Sequence, residues 1–106
     1  MARYLYQASY TAEGTKGLLK DGGSKRRAAV EELTKALGGK LEAFYYAFGE
    51  SDVFVIVDVP DPASAVAVSL AVNASGAVNL KTTVLMTPEE MDAATRKAVN
   101  YRAPGK

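Results

Sequence analysis

The 106 residues contain neither cysteine nor histidine. Without cysteine there is no disulfide, thiol nucleophile or thiolate ligand. Without histidine, imidazole acid–base catalysis, His-ligated haem and Cys/His zinc sites are excluded as well. A metal would need oxygen ligands alone, and no dense Asp/Asn/Glu loop of the EF-hand type occurs. Excess charge is also scarce. Thirteen Lys and Arg against twelve Asp and Glu leave a net +1, too little for a protein whose main task is gripping phosphate backbones. The basic run Lys16, Lys20, Lys25, Arg26 and Arg27 reads as the solvated approach to a helix in preference to an anion site. Phosphate loops of the GxxxxGK and GxGxxG types are missing. The start, MARYLYQASY, has no signal-peptide core, and no apolar run is long enough to span a membrane. The expectation is a soluble cytoplasmic protein with no cofactor, no metal, and neither nucleic acid nor membrane as partner.

What is present has the length of one domain, 1–106, with room for a single modest core. Residues 3–10, RYLYQASY, alternate as a strand, with Leu5, Gln7 and Ser9 on one face and Tyr4, Tyr6, Ala8 and Tyr10 on the other. Residues 11–23 are punctuated by Gly14, Gly17, Gly22 and Gly23 and read as a loop with at most one helical turn around 17–20. Ser24 is positioned to cap a helix whose buried stripe is Ala29, Val30, Leu33, Ala36 and Leu37, with Gly38 and Gly39 as its exit. A second strand, 40–48, sets Glu42, Phe44, Tyr46 and Phe48 opposite Leu41, Ala43, Tyr45 and Ala47. The polar turn Gly49-Glu50-Ser51-Asp52 joins it as a hairpin to a third strand. There Val53, Val55, Val57 and Val59 point one way, and Phe54 and Ile56 the other. Asp61 caps and Pro62 opens a helix rich in small residues, with Ala63, Val66, Ala67, Leu70 and Ala74 expected on its buried face. Asn73-Ala74-Ser75 is a glycosylation sequon in form but reads as a helix exit. Residues 77–86 make a fourth strand. Thr87-Pro88-Glu89-Glu90 is a capping box that starts a last helix with the thin stripe Met91, Ala94, Ala98 and Tyr101.

The order is that of an α+β, ferredoxin-like βαββαβ antiparallel sheet with an added C-terminal helix. In such a sheet the helices cover one face and the other normally reads polar. The third strand is central and apolar on both sides, so its second face needs a cover. The last helix is one candidate. A second copy of the sheet is the better one, giving a dimeric α/β-barrel type of homodimer or a higher homo-oligomer.

The segments YTAEGTKGLLKDGGSKR, LGGKLEAFYYAFGESD, VPDPASAVAVSLAVNASGAV and KTTVLMTPEEM together resemble the GYD-domain family over nearly the whole chain. These are small bacterial proteins of unassigned activity, placed among ferredoxin-like dimeric α/β barrels. The family's motif is a glycine followed closely by Tyr-Asp at the hairpin. Gly49 and Asp52 match it, and Ser51 stands where the tyrosine is expected. The resemblance implies the fold. Through related barrels that act as cofactor-free monooxygenases or small-molecule binders, it bears on function only at the level of fold.

Three functions compete. The favoured one is a small-ligand-binding or regulatory homo-oligomeric module. It would use Gln7, Ser9, Lys81 and Thr83 as a polar patch on neighbouring strands, with Tyr6 and Tyr46 as aromatic lining for a small organic ligand. The second is a structural or assembly protein without a ligand, in which the tyrosines are core and Lys81 reaches solvent. The third is a cofactor-free oxygenase- or isomerase-like enzyme using Asp52, Tyr or Lys. Asp52 itself reads first as a turn-fixing carboxylate that accepts backbone N–H groups, and Glu50 as a solvated turn residue. Convergence of the polar set in a cavity with tyrosine would favour binding. Dispersal would favour assembly.

Overall fold

A computed structural model describes residues 2–47 and 49–106. The elements are β1 (Ala2–Tyr10), α1 (Ala12–Asp21), α2 (Gly23–Ala36), β2 (Lys40–Tyr46), β3 (Val53–Val59), α3 (Pro62–Ala74), β4 (Val78–Leu85) and α4 (Pro88–Thr95). The four strands form one sheet in the order β2-β3-β1-β4, with every neighbouring pair antiparallel. This α+β arrangement is the ferredoxin-like one the sequence predicts, with β3 and β1 at the centre. The part of the second strand expected at Phe48 lies outside the described residues.

The core sits between the sheet and the helices. Tyr4, Tyr6 and Ala8 of β1 meet Val53, Val55, Val57 and Val59 of β3, and Ala65 of α3 is wholly buried against them. The Tyr6 hydroxyl donates to the Ala65 carbonyl at 2.8 Å. That bond ties the sheet centre to α3 and satisfies the one polar atom that Tyr6 brings inside.

The segment 11–23 is not a loop. It contains a ten-residue helix, α1, capped by Thr11, whose hydroxyl accepts from the Gly14 N–H at 3.3 Å. Two glycines inside a helix cost about 1 kcal/mol each in propensity, which is why the sequence reads against it. Packing reverses the preference at Gly14. A Cβ there would sit 2.0 Å from the Ala77 carbonyl oxygen, so only glycine lets α1 lie this close to the start of β4. Gly22, at φ +81°, ends α1 and immediately precedes α2. The helix therefore begins at Gly23 with no side-chain cap, and Ser24 is an ordinary first-turn residue instead of the expected cap.

Both crossover helices are rotated from their predicted faces. On α2 the buried residue is Thr34, with Val30 packed on the core. Ala29 and Ala36 are exposed, and Leu33 is 42% exposed. The Thr34 hydroxyl can be buried because it donates to the Val30 carbonyl at 2.7 Å. On α3 the buried side is Ala65 with Val68. The expected inward set Ala63, Val66, Ala67, Leu70 and Ala74 faces solvent instead. This helix is apolar all round, so periodicity cannot orient it. The Asp61 cap is as expected, accepting from the Ser64 N–H at 2.7 Å.

In β2 an irregularity between Leu41 and Ala43 breaks the alternation. Leu41 pairs with Val57, while Phe44 and Tyr46 pair with Val55 and Val53, so all three take the helix side. Ala43 and Tyr45, opposite Ile56 and Phe54, take the other. One extra residue in the strand, around Glu42, thus separates Leu41 from the set that simple alternation assigns to it. The last helix has its predicted capping box, but α4 ends at Thr95 and buries no residue. Ala98 and Tyr101 lie beyond it. The expected stripe therefore stays exposed, Met91 at 52% and Tyr101 at 74%, and α4 does not bury the open face of the sheet.

Candidate functional site

The face of the sheet away from the helices carries Arg3, Leu5, Gln7 and Ser9 from β1, opposite Asp58, Ile56 and Phe54 of β3 and Leu85, Thr83, Lys81 and Asn79 of β4. Its middle is apolar. Leu5, Phe54, Ile56 and Leu85 are each partly exposed, and Tyr45 is 71% exposed. At one end Arg3 donates from Nε to the Glu42 carboxylate at 2.7 Å. That partner, together with the charge of Asp58, raises the guanidinium pKa further. The Asp58 Oδ1 is buried and has no hydrogen-bond partner among the described residues.

At the other end lies an open depression of about 650 Å³. It brings together Gln7, Ser9 and Lys81 of the predicted polar set, with Ser51, Asn73 and Asn79. Thr83 lies on the same face but outside it. Tyr6 and Tyr46 lie on the opposite side of the sheet, so the predicted set is divided between the two faces. The reason is strand parity for Tyr6 and, for Tyr46, its register opposite the inward-facing Val53. Asn73 and Asn79 were missed. Asn73 sits in the helix exit that the sequence reads as idle, and its side chain pins β4 by accepting from the Leu80 N–H at 2.7 Å.

The hairpin turn edges this depression. Asp52 accepts from the Tyr10 N–H at 2.8 Å, and its own N–H donates to the Ala8 carbonyl at 2.8 Å. Its carboxylate fixes the turn to the end of β1, bonding to the neighbouring strand and not within the turn itself. Ser9 adds a bond from its hydroxyl to the Glu50 carbonyl at 3.1 Å. At Gly49 an added Cβ would meet open space.

On the helix side, Tyr46 donates from its hydroxyl to the Gly23 carbonyl at 3.1 Å, and its ring meets Phe44 edge-on. Burial raises the Tyr46 pKa, as does the nearby Tyr10, and the guanidiniums of Arg26 and Arg27 oppose the rise. Burial, with a smaller effect of Tyr4, pushes Tyr6 up to about 12. No group of three or more acidic side chains placed to hold a metal occurs among the described residues. No helix among them is long and apolar enough to cross a membrane.

A four-stranded antiparallel sheet in the order β2-β3-β1-β4 with its crossover helices on one face defines the ferredoxin-like class. Residues 4–95 match the GYD domain, and the chain belongs to the GYD-domain family. Comparison with curated proteins and with solved structures gives no match. Ser51 lines the same depression as Gln7, Ser9 and Lys81.

Proposed function

We propose that this protein is a homo-oligomeric small-molecule-binding module that pairs through the open face of its sheet. The observation that carries the reading is the apolar stretch of that face, Leu5, Phe54, Ile56 and Leu85, on which no helix packs among the described residues. An uncovered apolar patch at the centre of a sheet is unfavourable in water and marks an interaction surface. A second sheet offers the same chemistry in return, which is what a two-fold contact requires. The polar depression with Ser51 at its edge is the ligand site of this reading.

Sedimentation equilibrium at low micromolar concentration is the test. The expected result is a dimer or larger species, and Ile56→Lys is expected to shift it to monomer with far-UV circular dichroism retained. A monomeric wild-type protein overturns the reading. Native mass spectrometry of protein purified from its own host is expected to find a retained small molecule. The assembly reading, with no ligand, draws on the openness of the depression and its lack of any tyrosine; an empty homo-oligomer would favour it. The enzyme reading is weaker, because the carboxylate it relied on, Asp52, is already engaged by the Tyr10 N–H.

A further inference from the structure

The helix face of the sheet is incompletely roofed. α2 packs on β2 and α1, whereas α3 packs on β4 and β3. Between the two helices, above the centre of the sheet, runs a crevice holding a cavity of about 80 Å³. Its floor is Tyr6, Ala8, Val53 and Val55, and its walls are Val30 and Phe44 on one side and Val68 and Val72 on the other. The polar groups inside are already engaged: the Tyr6 hydroxyl on the Ala65 carbonyl, and the Thr34 hydroxyl on the Val30 carbonyl. The interior therefore has nothing to offer water and accepts hydrocarbon. A dry apolar cavity of about 150 Å³ takes benzene. One of about half that size suits a chain of three or four carbons.

The mouth differs from the interior. Arg26 and Tyr10 line the crevice and also a wider depression of about 400 Å³ against α1, so they stand where the two meet. Arg26 is partly buried there and makes no ion pair among the described residues, whose one salt bridge is Arg3–Glu42. A planar guanidinium without a carboxylate partner, at the rim of an apolar slot, matches a ligand with a carboxylate head and an alkyl tail. Glu13 and Asp21 line the outer depression. They disfavour a dianionic head such as a phosphate monoester and leave a monoanion as the better fit.

We propose that this crevice is a binding site for a short-chain aliphatic carboxylic acid, its tail between α2 and α3 and its carboxylate on the Arg26 guanidinium. The site is formed within one chain and lies on the opposite side of the sheet from the proposed pairing face. It stands or falls independently of that pairing.

The probe is pentanoate, titrated into the 15N- and methyl-labelled protein and followed by NMR. Millimolar affinity is the realistic scale for so small a ligand. Saturable shifts are expected at the methyls of Val30, Val68 and Val72 and at Arg26 Nε. Arg26→Gln should weaken binding about tenfold or more, since hydrogen bonds to a charged group are lost. Arg26 lies at the rim, so the melting curve of this variant should be unchanged. Val72→Phe, which fills the slot, should abolish binding while leaving the Arg26 side chain in place. Lys97→Ala, in the exposed segment beyond α4 and outside both depressions, should bind like the wild type. Shifts that do not saturate, an Arg26→Gln protein that binds pentanoate equally well, or 1-pentanol binding as tightly as pentanoate would each overturn the proposal.

Discussion

Two side chains decide questions that the sequence raises but leaves open. Asp52 was legible as a turn acid, but its partner was not, because the Tyr10 N–H comes from a strand 42 positions away. Its removal should cost about 1–2 kcal/mol, the range for a lost side-chain acceptor of a backbone N–H. Asp52→Asn should cost less, since the amide keeps an acceptor oxygen. Thermal melts of the two variants check this, and an unchanged Asp52→Ala melt would return the residue to the list of site carboxylates. Tyr6 is held neutral in the fold up to about pH 12, against 10.0 for an unperturbed phenol. Its raised value means that folding favours the protonated form. Its contribution to stability is therefore complete below pH 10 and is lost as pH rises from 10 towards 12. The loss is on the order of 2 kcal/mol. Tyr46 adds a drop of the same sign. Urea unfolding across this alkaline window should show the decline, and Tyr6→Phe should flatten it while costing about 1 kcal/mol at neutral pH through the lost bond to Ala65.

At the scale of elements, what the sequence showed well was whatever depended on alternation and capping. β3 with its two-sided apolar pattern, Asp61 ahead of α3, and the capping box of Thr87 and Glu90 all stand where the residues place them. What it hid was decided by contacts distant in sequence. α1 exists because the Gly14 backbone can approach Ala77, a constraint invisible to local propensity. The orientation of α3 is set by Ala65 fitting under the Tyr6 hydroxyl, and its near-uniform apolar sequence gives no hint of that. The division of Tyr6 and Tyr46 from Gln7, Ser9 and Lys81 follows from which face each strand residue takes, Tyr46 lying opposite the inward-facing Val53. Gly14→Ala tests the reading of α1. A Cβ 2.0 Å from a backbone oxygen cannot be relieved by a side-chain rotation. The variant should lose several kcal/mol despite alanine's better helix propensity, in contrast to Gly17→Ala, where a Cβ meets nothing within 4 Å and stability should rise by up to about 1 kcal/mol. Chemical denaturation of the pair distinguishes a packing glycine from a permissive one.

For the molecule as a whole, the outward side of α3 has a consequence for assembly geometry. Val66 is 50% and Leu70 67% exposed there, and no charged residue occurs between Pro62 and Leu80. This strip lies on the opposite side of the sheet from the face proposed to pair. A pair closed sheet to sheet would therefore still present one such strip at each pole. Contact between poles, if two-fold, adds whole pairs. Because the two strips face opposite ways, such contacts extend the assembly pair by pair along one line. Species heavier than the pair should accordingly appear only as even multiples and grow with concentration. Sedimentation velocity checks this: Leu70→Glu should remove everything above the pair and leave the pair intact, whereas odd-numbered assemblies would rule out this hierarchy of contacts.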